Sequence, residues 1–112
     1  MDNLKSNEIL TNFNTVLLQF LSELDRLFPD SKASSYHSKI KMSFLVNKGL
    51  WIKYFIDETK DHGTQIMTKD EHYFLNQEMA FSKKLDLTKY YKLSNSATKN
   101  SMWQYMQTLF LL

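Results

Sequence analysis

Apolar residues recur at steps of three and four between residues 9 and 28: Ile9, Phe13, Val16, Leu17, Phe20, Leu21, Leu24, Leu27 and Phe28. That period places them on one side of an α-helix and predicts a wide stripe that other elements must cover. Asn12, Asn14, Gln19, Ser22, Glu23, Asp25 and Arg26 fall on the other side, as in the surface helix of a packed bundle. Ser6 or Asn7 is the expected N-cap, with residues 1 to 7 frayed. Pro29 ends the segment, because it lacks the N–H that would continue the ladder and disfavours helical geometry at Phe28.

The same reading carries on down the chain. Asp30 or Ser31 caps a second helix from Lys32 to Asn47, with Ala33, Tyr36, Ile40, Phe44 and Leu45 or Val46 turned inward, and Gly49 supplies the left-handed residue that closes it. The run LWIKYFIDE also suits a short buried strand, but Leu50, Trp51, Tyr54 and Phe55 share a helical face and no partner strand follows, so a helix is expected. Lys60 to Gly63 form a turn, and Ile66 and Met67 a short apolar return. Thr68 and Glu71 have the spacing of a capping box and start a helix carrying Tyr73, Phe74 and Leu75. Residues 76 to 84 read as an irregular loop with Met79 and Phe81 tucked beneath it. A helical piece from Leu85 to Leu93, a capping linker of Ser94, Asn95 and Ser96, and a last helix from Ala97 to the end complete the chain. Met102, Trp103, Met106, Leu109 and Phe110 form the stripe of that helix. The expected fold is all-α: one domain, residues 1–112, a compact bundle of about five to six helices with a long amphipathic helix at its start.

Composition supports this. Two glycines and one proline are few for a sheet protein that needs many tight turns. The absence of cysteine excludes disulfides, zinc thiolates and a cysteine nucleophile, leaving packing as the source of stability. The first ten residues lack a basic region followed by an apolar run, and no stretch of 18 apolar residues occurs, so neither a secretory signal nor a membrane span is expected.

Net charge is +2, unevenly spread: residues 1–30 carry −3, residues 31–60 carry +4 and the remainder +1. Fourteen residues are Lys or Arg, and Arg26 is the single arginine, so bidentate guanidinium recognition is nearly absent. Lys39, Lys41, Lys48 and Lys53, with Lys32 and interleaved with Tyr36, His37, Trp51 and Tyr54, form the one segment suited to nucleic acid, with lysines on phosphates and rings on bases. Those rings also sit at core spacing.

Reaction chemistry is not encoded in any pattern. His37, His62 and His72 lack the spacing of a helical metal site, so no metal or other cofactor is expected. Asp57, Glu58 and Asp61 would need one carboxyl against an apolar wall to serve as a general acid, and Thr59, Lys60 and His62 give no sign of one. Neither a Gly-x-Ser-x-Gly elbow nor a phosphate loop can be found, and the chain reads as a non-enzyme. Leu111 and Leu112 end it without a polar tail, so the bundle or a partner must cover them. They are the leading partner-contact candidates, followed by Trp51 and Met79.

The order of three features carries a resemblance. Phe13, Phe20, Leu21, Leu24, Phe28 and Pro29 form the opening helix; Ile66-Met-x-Lys-Asp-Glu-x-Tyr-Phe-Leu-Asn76 follows a variable middle; Ser-Met-Trp-Gln-Tyr-Met-Gln-x-Leu, Ser101 to Leu109, closes the chain. This arrangement resembles short, cysteine-poor helical proteins of nucleocytoplasmic large DNA viruses, the algal and giant viruses. Met106 stands where that group has leucine or phenylalanine, a swap that a helix core tolerates. The resemblance implies a helical fold without an assigned activity. It also implies a second task for Asp70, Glu71 and Asn76, holding the turn of the 60s against the last helix. The function expected is protein–protein contact in a virion structural or assembly component, in the virion or in the host cytoplasm at the viral factory. The partner is a protein or a second copy, and the alternative is a nucleic-acid accessory factor using the lysines above.

Overall fold

The first stretch does become one long helix, α1 (Asp2–Leu27), and the other elements fold round its stripe. The computed structural model describes residues 2–29, 32–75 and 80–112, with side chains for residues 8–29, 37–75 and 81–112. Phe13, Leu17, Phe20, Leu21 and Leu24 are fully buried, while Ile9 at the outer end of the stripe is exposed. Ser6 and Asn7 lie inside the helix and do not cap it, because α1 already starts at Asp2. Once nucleated, a helix extends through such residues at little cost. The Phe28 N–H still bonds Leu24 O at 2.8 Å, and Pro29 stops the chain there.

After the turn comes α2 (Lys32–Val46). Its expected caps, Asp30 and Ser31, lie outside the described residues, as do the side chains of Ala33 and Tyr36. Ile40 is buried and Phe44 half-buried, but Leu45 and Val46 point outward and correct the expectation that one of them faces the core. Gly49 has φ −95°, so it is no left-handed cap; it precedes α3 (Leu50–Thr59), and its N–H bonds the Asn47 side chain at 3.2 Å. Asn14 belongs to the inner face of α1, where its Nδ2 donates to Lys48 O at 3.0 Å and ties this turn to the long helix.

The second half is built from short pieces: α4 (Gly63–Met67), α5 (Glu71–Leu75), α6 (Ala80–Leu85) and α7 (Leu87–Leu93). The capping box is not formed. Thr68 closes α4 by donating its hydroxyl to Thr64 O at 2.8 Å, Lys69 turns the chain at φ 57°, and Asp70 takes the cap by accepting the His72 N–H at 3.0 Å. Within the stretch expected to be a loop, residues 76–79 lie outside the described residues and α6 begins at Ala80. The helix expected from Leu85 to Leu93 is interrupted at Asp86, φ 58°. Positions two apart point to nearly opposite sides of a continuous helix. The left-handed residue between Leu85 and Leu87 lets both be buried.

Asn95 starts α8 (Ser96–Leu111) by accepting the Thr98 N–H at 2.8 Å, as the capping linker predicts. Met102, Trp103, Met106 and Leu109 are buried as expected. The described residues thus form eight helices and no strand, more helices than the sequence reading anticipates because the 63–93 region is cut into short pieces. One apolar cluster draws on all eight, with α1 against α2, α3 and α8. The radius of gyration, 13.6 Å, matches the roughly 13 Å of a compact chain of this length.

Candidate functional site

Two regions stand out, one sealed and one open. The sealed one begins on α3, whose buried residues Trp51, Phe55, Glu58 and Thr59 follow helical spacing. Glu58 comes seven after Trp51 and three after Phe55, so the face that buries the rings carries a carboxyl inside with them. It is 1% exposed. Oε1 accepts the Ser82 N–H at 2.8 Å, and Oε2 accepts the Ser82 hydroxyl at 2.8 Å and the Tyr73 hydroxyl. Helices α3, α5 and α6 are therefore clasped by one side chain.

Loss of hydration pushes the Glu58 carboxyl above its ordinary range, against the pull of these three hydrogen bonds and of the nearby His62. The Tyr73 hydroxyl is pushed far above its usual range by burial first, then by the carboxylate it serves. This is the apolar wall that the neighbours of Glu58 in sequence did not announce. Its acceptors are committed to the protein's own donors and it is shut off from solvent, so the arrangement joins helices and is not placed to meet a substrate. Asp57 and Asp61, grouped with Glu58 in the sequence reading, are exposed instead.

The histidines go to separate places. His62 Nδ1 pairs with Gln65 Oε1 at 2.7 Å, with its ring edge-on to Tyr73; His72 Nδ1 meets Asp70 Oδ1 at 3.0 Å; His37 Nε2 lies 3.4 Å from the Ser22 hydroxyl. Among the described residues no group of three or more histidines and acids converges.

Several links hold the turn of the 60s to α8. Gln107 donates to Ile66 O at 3.1 Å, Lys69 Nζ to Asn100 Oδ1 at 2.8 Å, and Lys99 lies 3.7 Å from Glu71. Of the three residues to which the resemblance gave this task, Glu71 shares it, Asp70 is a cap, and Asn76 lies outside the described residues.

The open region is the outward side of α2. Met42, Leu45 and Val46 are 67%, 86% and 91% exposed. They share a face opposite Ile40 and Phe44, which is how two consecutive apolar residues both reach water. Lys41 lies on the same outward side, and Lys48 follows the helix end; both are exposed, as are Lys39 and Lys53. Among the described residues Lys41, Lys48 and Lys53 form no ion pair.

The expected site residues divide. Leu111 and Leu112 are exposed, at 70% and 42%, so the bundle does not cover them. Trp51 is withdrawn as a partner contact: it is 5% exposed, edge-on to Tyr54 and Phe81. Met79 lies outside the described residues. The burial of Trp51 also removes one ring from the expected nucleic-acid surface, and Tyr54 is half-buried with Lys84 Nζ 5.7 Å from its ring centre. Met42, Leu45 and Val46 were missed, although a wheel drawn through Ile40 and Phe44 turns them outward. Among the described residues no helix is long and apolar enough to cross a membrane.

Set against protein-family models, curated proteins and solved structures, the chain matches none.

Proposed function

We propose that this chain is a non-enzymatic helical binding protein that works by protein–protein contact, with the outward face of α2 as its contact surface. The observation that carries this is the exposure of Met42, Leu45 and Val46 in one helical turn. A solvated helix face is ordinarily polar, and grouped apolar side chains left in water mark contact surfaces. Leu111 and Leu112 extend the same logic to the end of α8 as a second, smaller contact. The sealed state of Glu58 supports the non-enzymatic part, since among the described residues the one carboxyl with raised proton affinity has no open side.

The setting we propose is a component of the virion or of the replication site of a large DNA virus, at the viral factory in the host cytoplasm. It rests on the resemblance of residues 66–76 and 101–109 to short helical proteins of such viruses. Those two stretches meet in this fold, where Trp103 packs 4.5 Å from Phe74 between ring centres and Gln107 bonds Ile66 O.

A second reading, binding of nucleic acid, is favoured by the exposed Lys41, Lys48 and Lys53, which lack ion-pair partners among the described residues. The burial of Trp51 weighs against it by removing a stacking platform.

Affinity capture with the wild-type chain and with Leu45→Ser/Val46→Ser, side by side in one extract, tests the first reading. A protein held by the first and released by the second supports it, and identical bound sets refute it. Capture that disappears on nuclease treatment and on Lys41→Glu/Lys48→Glu, but survives the serine variant, favours the second.

A further inference from the structure

Resting on the contact reading of α2, the chemistry of the face specifies its partner further. At about 100° per residue, Leu45, Met42 and Val46 span one strip of the helix, with Lys41 about 40° beyond Leu45 on its margin. Lys48 continues the basic margin past the helix end. Its carbonyl is held by Asn14 Nδ2, so the backbone that carries this ammonium is fixed on α1.

The strip is thus an apolar centre with a cationic rim, and the cations at Lys41 and Lys48 are not neutralised by carboxylates of the described residues. Desolvating an apolar centre drives association, while rim charges select partner and register. Lysines beside the strip repel a basic partner and attract an acidic one. The strip is one helical turn long, which suits the apolar face of a helix laid across it better than an extended strand, whose alternate side chains would point away.

We infer that the outward face of α2 binds an amphipathic helix of another protein that carries leucine-like residues on its inner face and aspartate or glutamate along its flanks. Met42 adds adaptability, because its unbranched thioether fills irregular gaps.

The test is selection by the full-length chain from a phage-displayed library of helical peptides. Leucine is fixed at i, i+3, i+4 and i+7, and the flanking positions are drawn from Glu, Lys and Ser. The expected result is enrichment of Glu at the flanks. Peptides from that pool should bind Leu45→Ser/Val46→Ser at least tenfold more weakly, and Lys41→Glu/Lys48→Glu should select Lys at the flanks. Both variants change exposed residues, and their helicity is checked by circular dichroism. Binding that is lost with the serine variant but shows no acidic preference overturns the inference and leaves the contact reading standing. Absence of any enrichment, with light scattering that shows no self-association, overturns both. Dimers lost on the serine variant, without acidic peptides enriched, replace the inferred partner with a second copy.

Discussion

Replacing Glu58 tests the most consequential interior contact. Truncation to alanine strands the Ser82 N–H, the Ser82 hydroxyl and the Tyr73 hydroxyl. Each buried donor left without a partner costs about 1–3 kcal/mol, and because such losses are not additive the expected total for Glu58→Ala is about 3–5 kcal/mol. A chain of this size has only about 5–15 kcal/mol to lose, so this variant should be close to unfolding. Glu58→Gln is different. Its Oε1 still accepts from Ser82 N–H and its amide donates to the two hydroxyl oxygens, so it mimics the protonated acid.

The two states of the acid give a sign as well as a size. Burial raises the folded-state pKa of Glu58 above that of the unfolded chain, so the folded protein holds this proton more tightly. The resulting stabilisation is complete below the unfolded value near 4.5 and is lost as pH rises through the raised folded value. Urea unfolding followed by circular dichroism from pH 4 to 8 is the assay. The stability of wild type minus that of Glu58→Gln should fall as pH rises, then level off. A difference independent of pH, or equal stability of the alanine and glutamine variants, would refute the reasoning.

Trp103→Ala removes a ring packed among Tyr73, Phe74 and Tyr91 and should cost about 3–5 kcal/mol by chemical denaturation. Asn95→Ala, which loses the bond to Thr98 N–H, should cost about 1 kcal/mol, whereas Thr68→Ala, at a residue that bonds back to its own helix, should cost less than about 0.5 kcal/mol. Gly63→Ala would set a Cβ 2.9 Å from Phe110 Cζ, so a loss of about 1 kcal/mol and displacement of the Phe110 ring signals in NMR are expected. Deleting Leu111 and Leu112 should shift the melting midpoint by no more than about 3 °C, since neither is covered.

What could be read from the sequence followed from local period. The stripes of α1 and α8 were legible because each repeats its apolar residues at steps of three and four over successive turns, and Asn95 was legible because a cap acts three residues away. The interior polar contacts were not. Glu58 finds Tyr73 and Ser82, 15 and 24 residues on, and Asn14 finds Lys48, 34 residues on. An acid or amide on an amphipathic helix looks solvated until the topology is known. Helical spacing from Trp51 and Phe55 marks Glu58 as inward, a signal that a look at its immediate neighbours Thr59, Lys60 and His62 alone does not find. Thr68 failed for another reason: two acceptors, Thr68 and Asp70, competed to start one helix, and the carboxylate of Asp70 won. On the outward side of α2, the expectation that Leu45 or Val46 points inward fails, because both lie opposite Ile40 and Phe44 and are exposed.

The clasp at Glu58 also bears on how the middle of this chain opens. Helices of five to seven residues, as α4 to α7 are, cannot persist alone in water. They depend on their neighbours: one carboxyl joins Tyr73 of α5 and Ser82 of α6 to α3, beside the packing of Phe74 on Trp103 and of Phe81 on Phe55, whereas α1 and α8 carry apolar stripes of their own. The middle of the chain should therefore open and close as a single cooperative unit. Its amides would exchange with solvent together, faster than those of α1, with a rate that Glu58→Ala brings close to that of the unfolded chain.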